Sequence, residues 1–293
     1  MNSETNVPRG GDWNLKNVPE MDDEQFQLWQ ALLEDRTGMQ LALQRKSFLQ
    51  TSVCTRMREV GCETYQQYFL RVQNGPYAEI EWTVLVDRLT VQETHFFRHQ
   101  SSYDLVRDYT VSKISEQGVR SINAWSVGCS TGEEPYSLGM LFDEINALLG
   151  LGVYFGITAT DLSMPALSKA RAGIYSERKV QGISARRLKK YFKPLERQRH
   201  EVVADLRDRI CFARINVLEL STVPMENLDI IFCQNLLIYF RRWRRRDIVN
   251  QLAERLAPGG IMVLGLGEMM DWSHPKLERL PYENTLAFMR QTS

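Results

Sequence analysis

Three short stretches hold residue types suited to binding a small cationic or hydroxyl-bearing molecule. The first, Gly128-Cys129-Ser130-Thr131-Gly132-Glu133-Glu134-Pro135-Tyr136-Ser137, is a small-residue turn that follows the apolar run 122–127 and opens helix-like sequence. Small side chains let a ligand approach the backbone, and in an open parallel sheet the first such turn lies at the carboxyl ends of the strands, where ligands bind. The turn is not G-x-G-x-x-G, and its paired glutamates repel a pyrophosphate while suiting a cation or a hydroxyl. A dinucleotide is therefore disfavoured. By pattern alone the alternative is an ordinary strand-to-helix turn, whose glutamates sit favourably at the positive end of a helix. The second stretch is Thr160-Asp161, at the end of the next apolar run. A carboxylate at that point commonly accepts from ribose hydroxyls, which makes Asp161 a candidate for the sugar of an adenosine; its alternative role is to cap the helix that starts near Pro165. The third, Gln234-Asn235-Leu236-Leu237-Ile238-Tyr239-Phe240, puts amides and then aromatics at a strand end. It suits the floor of a nucleoside pocket, or a core segment in which the Tyr239 hydroxyl is satisfied.

These stretches require a scaffold that brings strand ends together. Strand candidates at 122–127, 153–160, 228–233 and 261–266 alternate with helical stretches at 134–149, 164–172, 185–192 and 244–256, the signature of a doubly wound α/β domain. Segment 201–217 alternates apolar and polar residues around Asp205-Leu206-Arg207-Asp208 and reads as a projecting β-hairpin. Earlier in the chain, Phe26, Trp29, Leu32 and Leu33 recur at helical spacing behind an acidic start, with Gly38 as a stop. Similar patterns at 48–60, 65–72 and 80–89, separated by Gly61 and Asn74-Gly75-Pro76, predict a small all-α unit. Residues 1–20 carry Pro8, Gly10, Gly11 and Pro19 without an apolar period and read as a flexible tail.

Bulk properties agree with this division. A chain of 293 residues exceeds one typical domain, and 43% hydrophobic with 25% charged residues suffices for real cores. Lys plus Arg equals Asp plus Glu at 36 each, so no overall field draws the chain to nucleic acid or an anionic membrane. Recognition by charge must be local, as at Arg45, Lys46, Arg56 and Arg58, or at Arg241, Arg242, Arg244, Arg245 and Arg246. The latter five oppose the dipole of the helix they begin, which calls for a partner or a nearby acid. Five scattered cysteines without a C-x-x-C pair disfavour disulfides and a zinc site, so no metal is expected and a reducing cytoplasm fits. Neither a signal peptide nor a membrane span is evident.

The string Ser130–Ser137, the pair Thr160-Asp161, the run Ala170-Arg171-Ala172-Gly173-Ile174-Tyr175 and the segment from Ile231 to Phe240 closely resemble the CheR family of chemotaxis-receptor glutamate methyltransferases. So does Thr90-Val91-Gln92-Glu93-Thr94-His95-Phe96-Phe97-Arg98 between the two units. The resemblance runs in order over roughly 22–290. It implies an S-adenosylmethionine-binding, Rossmann-like methyltransferase domain at 93–293, an all-α N-terminal domain at 21–92, and a small inserted antiparallel β-subdomain at about 195–217.

The resemblance also implies residue roles. Gln92, standing where the family usually has Asn, Thr94 and Arg98 would close over S-adenosylmethionine or the incoming carboxylate. Glu133, with Glu134 beside it as a further candidate, would meet the methionine moiety, and Asp161 the ribose. Asn216 and Val217 would lie near the adenine, Asn235 and Leu236 along the cofactor, and Tyr239 with Arg98 at the reacting centre. Gln234 replaces the usual Arg, and Gly265-Leu266-Gly267-Glu268-Met269 departs from the usual His-Ser-Glu-Asn while keeping Glu268. The implied activity is protein-glutamate O-methylation of the cytoplasmic domain of a methyl-accepting chemotaxis receptor by a cytoplasmic, monomeric enzyme, releasing S-adenosylhomocysteine. The basic set Arg45, Lys46, Arg56 and Arg58 would face the receptor. The charged β-subdomain loops argue against tight docking of a receptor-tail peptide, and the Gln234–Leu237 string with its polar N-terminal tail is similar to the PilK-like branch that serves type IV pili. The competing readings are a methyltransferase with another acceptor, and a sensor or scaffold that binds the cofactor without transferring its methyl.

Overall fold

The computed structural model describes residues 19–90 and 93–292, so most of the expected tail lies outside the described residues. The N-terminal unit comprises α1 (Asp23–Thr37), α2 (Lys46–Val60), α3 (Tyr65–Gln73) and α4 (Ala78–Leu89). Its boundaries follow from local chemistry: Asp22 and Gln25 form a capping box at the start of α1, and Gly38 ends that helix in the left-handed conformation. Phe26, Trp29, Leu33, Leu49, Tyr68 and Leu85 pack into one buried cluster.

After the link comes α5 (Gln100–Ser115), then β1 (Ser121–Val127), α6 (Glu133–Leu149), β2 (Tyr154–Asp161), α7 (Met164–Ala172) and β3 (Ile174–Ser176). The chain continues through α8 (Glu177–Val180), α9 (Ala185–Tyr191), β4 (Phe192–Leu195), β5 (Arg199–Val202), α10 (Ala204–Arg207) and β6 (Ile210–Arg214). It ends with β7 (Leu228–Cys233), α11 (Arg242–Ala253), β8 (Leu256–Leu264), β9 (Leu277–Arg279) and β10 (Leu286–Arg290). Seven strands make one sheet in the order β6-β2-β1-β7-β8-β10-β9, all running in one direction except β10, which pairs antiparallel with both β8 and β9. Successive residues of each central strand serve opposite faces: Ile230 and Phe232 join one core with Ile122, Ile261 and Val263, whereas Ile231 and Cys233 join the other with Trp125, Met262 and Leu264. Burial on both faces is why these strands read as continuous apolar runs.

The expected hairpin at 201–217 is corrected by the structure. Its second half, β6, runs parallel to β2 as the edge of the main sheet, while the small antiparallel sheet is β3-β5-β4. The reversal between β4 and β5 has no glycine; Arg197 and Gln198 themselves adopt φ of 58° and 52°. Such residues rarely sit at positive φ, so the turn carries no sequence signal. Helix α10 then separates β5 from β6.

Helix α5 lies against β7 and is pinned at both ends. Near its start, Gln234 donates to the Ser102 hydroxyl at 2.8 Å; near its end, Lys113 pairs with Asp229 at 2.5 Å. Helix from Ser102 to Lys113 and strand from Asp229 to Gln234 each span about 16 Å, so both ties close without strain. Arg98, just before this helix, is thereby held over the carboxyl end of β7.

Candidate active site

Strand order reverses between β1 and β7, since the chain proceeds outward through β2 and β6 on one side and through β8 on the other. Loops leaving the carboxyl ends of these two strands diverge and leave a crevice. The loop after β1 is tied across to β2: Gly128 and Cys129 donate backbone N–H to the Thr160 carbonyl at 2.8 and 2.9 Å, and Ser130 donates to the Asp161 carboxylate at 2.8 Å. The second Asp161 oxygen accepts from the Ser163 N–H at 2.8 Å. Gly132 begins α6 at φ 95°, and a Cβ there would lie 2.8 Å from the Ala170 side chain. Only glycine lets the turn come that close to α7.

Two clefts meet in this crevice. One of about 740 Å³, open mouth included, is bordered by Ser130, Asp161, Asn216, Val217, Asn235, Leu236 and Tyr239. Thr37, Met39 and Thr90 of the N-terminal unit supply its opposite wall. The wall is fixed by an antiparallel bridge between Met39 and Phe240, by the Gln40 N–H donating to the Tyr239 carbonyl at 2.7 Å, and by Asn216 donating to the Arg36 carbonyl at 3.0 Å. The second cleft is bordered by Thr94, Arg98, Glu134, Gln234, Asn235 and Tyr239. Gly128, Ser130, Asn235 and Tyr239 are common to both.

Thr94, Arg98, Asp161, Asn216, Val217, Asn235, Leu236 and Tyr239 thus converge, whereas Gln92 lies outside the described residues. Glu133 borders neither cleft. It is fully buried, paired with Lys179 at 2.8 Å and accepting from the Thr131 hydroxyl at 2.7 Å. Its neighbour Glu134 faces the second cleft and accepts from Ser126 Oγ at 2.7 Å. Successive helical residues point about 100° apart, so only one of two adjacent glutamates can face the site. Burial pushes the Glu134 carboxyl up to about 8; the Ser126 hydrogen bond opposes the shift, Glu268 adds to it and Arg98 opposes it. Burial likewise raises the Asp161 carboxyl, against the backbone N–H donors that favour its anion.

Two further residues organise the loop after β7. Asn235 adopts φ 58°, and its Oδ1 lies 3.2 Å from His99 Nε2. Glu268, buried and raised by desolvation, accepts from the Gly265 and Ile238 N–H groups at 2.8 and 3.2 Å. It folds the loop that presents Asn235 and Tyr239 rather than bordering either cleft. Glu268→Ala removes both acceptors, so it is expected to lower unfolding free energy by about 2–4 kcal/mol and to weaken cofactor binding. Denaturant unfolding and calorimetric titration measure the two effects.

Residues 92–285 match the family model described as CheR methyltransferase, SAM binding domain, and residues 24–90 match CheR methyltransferase, all-alpha domain. The chain belongs to the CheR methyltransferase family. Chemotaxis protein methyltransferase 1 of Pseudomonas aeruginosa is 32% identical over 84% of this chain and 90% of its own. Chemotaxis protein methyltransferase Cher2 of Pseudomonas putida is 31% identical over 86% of this chain and 91% of its own, and the Escherichia coli chemotaxis protein methyltransferase 29% over 88% and 87%. S-adenosylmethionine is accordingly the cofactor. Asp161 borders one cleft, Glu134 the other, and Tyr239 both. No helix among the described residues is long and apolar enough to cross a membrane, and no group of metal-ligating side chains is found among them.

Proposed function

We propose that this CheR-family enzyme esterifies glutamate side chains on the cytoplasmic domain of a methyl-accepting chemotaxis receptor, working in the cytoplasm as a monomer built from units 21–92 and 93–293. The reading is carried by the meeting of the two clefts at Asn235 and Tyr239, with Asp161 on one side and Arg98 on the other. When bound, S-adenosylmethionine supplies a sulfonium methyl open to in-line displacement by an oxygen nucleophile. A glutamate side chain, with an ordinary pKa of about 4.3, is already anionic at neutral pH, so the chain needs no general base.

What remains is positioning at a near-attack distance of about 3–3.5 Å in a water-poor site. Arg98 holds the incoming carboxylate through its planar fork of donors. Tyr239, whose phenol burial raises above its usual range, stays protonated and donates a hydrogen bond. Two lone-pair positions on each Asp161 oxygen leave room for ribose hydroxyls beside the backbone donors already seated there. Glu134 receives the methionine ammonium, and Thr94 and Asn235 line the path between. Of the basic set Arg45, Lys46, Arg56 and Arg58, Arg56 is tied to Glu81 and Glu59 and Lys46 to Asp23, which leaves Arg58, and Arg45 stacked over Phe48 just before α2, to face a receptor.

The Glu134 assignment predicts a pH dependence. Native Glu134 keeps its proton to about 8, against an ordinary 4.5. The folded state therefore binds more protons than the unfolded one between those values, and this group's contribution to stability falls as pH rises through that window. Seating an ammonium beside Glu134 favours the carboxylate, so binding releases a proton and affinity rises from pH 6.5 to 8.5. Titration calorimetry in buffers of different ionisation enthalpy is expected to show that release in the native protein and its absence in Glu134→Gln.

The function itself is tested by incubating the protein and radiolabelled S-adenosylmethionine with membranes carrying the organism's chemoreceptors. Base-labile label on a receptor band is expected, and its identity separates a swimming from a type IV pilus pathway. Cofactor binding without label would point to another acceptor or to a sensor.

A further inference from the structure

We infer that the surface formed by Ile238, Trp243, Leu266 and Met270, studded with the arginines of 241–246, is a docking site for an acidic, amphipathic helix of the receptor beside the glutamate to be modified. The inference rests on the proposed function and names a recognition surface for it. These four apolar side chains are 50%, 54%, 57% and 59% exposed. They come from three segments knitted into one: Arg245 donates to the carbonyls of Phe240 at 2.7 Å and of Ile238 and Glu268 at 3.4 Å, and Arg246 to that of Asp271 at 3.4 Å. The patch continues into the site, because Ile238 adjoins Tyr239, which borders both clefts.

Charge selects the occupant. Segment 238–246 holds five arginines and no acid. Arg241 is neutralised by Glu34, and Arg242 by Asp271 at 3.0 Å. Arg244 stacks on Trp243 at 4.2 Å and lies 4.0 Å from Asp247, while Arg246 has only a backbone acceptor. Cations in the first turn of α11 oppose its dipole, with no side-chain cap to compensate. An external carboxylate relieves that cost, and a stacked Trp-Arg pair with aliphatic neighbours offers a hydrophobic centre within a cationic rim. A helix bearing apolar residues on one face and acids beside them matches this pattern. An anionic bilayer matches the charge as well, but Ile238 directly precedes Tyr239, which borders both clefts, and this continuity with the site favours the substrate protein.

The test compares the native chain with the triple variant Trp243→Ala, Arg244→Glu, Arg246→Glu for binding to soluble cytoplasmic fragments of the organism's chemoreceptors and to phosphatidylglycerol–phosphatidylethanolamine vesicles. Binding of S-adenosylhomocysteine serves as the folding control. The expected result is a loss of receptor-fragment affinity of about 30-fold or more in the variant, S-adenosylhomocysteine affinity unchanged within about twofold, and weaker native binding at high salt. Equal fragment binding by both proteins would overturn the inference, as would variant-sensitive binding to vesicles alone. If the native chain binds the fragment through this surface yet methylates nothing, the surface stands and the glutamate-ester reading falls.

Discussion

Asp161→Ala is expected to weaken S-adenosylmethionine binding by at least about 100-fold. The carboxylate does two things at once: it accepts the Ser130 and Ser163 N–H groups that fix the turn after β1, and it presents its remaining lone pairs to the cleft. Hydrogen bonds to a charged group contribute about 1.5–3 kcal/mol each, and loss of two toward a ribose reaches that factor before any loosening of the turn. Asp161→Asn keeps one acceptor oxygen and is expected to fall between the alanine variant and the native protein. Titration calorimetry decides the matter; an alanine variant binding within threefold of native would remove Asp161 from the ribose site.

Arg98→Ala is expected to reduce kcat/KM for receptor methylation by about 10²–10³-fold, through loss of a charge-assisted clamp on the acceptor and of attack geometry. A second effect follows from its neighbour. Arg98 opposes the rise in the Glu134 pKa, so its removal lets that carboxyl hold its proton to still higher pH. Cofactor affinity should then fall modestly at neutral pH and recover at alkaline pH, whereas the catalytic defect should persist at both. Arg98→Lys restores charge without the planar fork and should recover affinity more than turnover. Full turnover by Arg98→Ala at saturating substrate would exclude a positioning role.

How far these features were legible varies with the physics behind them. Central strands such as Leu228–Cys233 are buried on both faces and announce themselves as apolar runs, and α1 announces both ends through Asp22 and Gly38. Helix α5 gives no such notice, since His99 provides no side-chain cap and the buried face includes Ser102, Thr110 and Lys113. Its place depends on ties to Gln234 and Asp229, far away in sequence. The β4–β5 turn was hidden because Arg197 and Gln198 do what glycine or asparagine usually does. At the crevice, the strand-end positions of Asp161 and Asn235 beside the clefts were readable from the order of the strands. Which of Glu133 and Glu134 faces a cleft was not, because Lys179 and Thr131 hold the one inward and Ser126 holds the other beside the cleft.

One wall of the cofactor cleft belongs to the other unit, through Thr37, Met39 and Thr90. Ligand affinity therefore includes the free energy of holding that unit against the loop at 235–240, and the ligand in turn strengthens the hold. A genetic screen for weakened cofactor binding would return substitutions at the end of α1, in residues that carry none of the chemistry. Excising the methyltransferase half as a minimal enzyme would yield a folded sheet with an open-sided pocket.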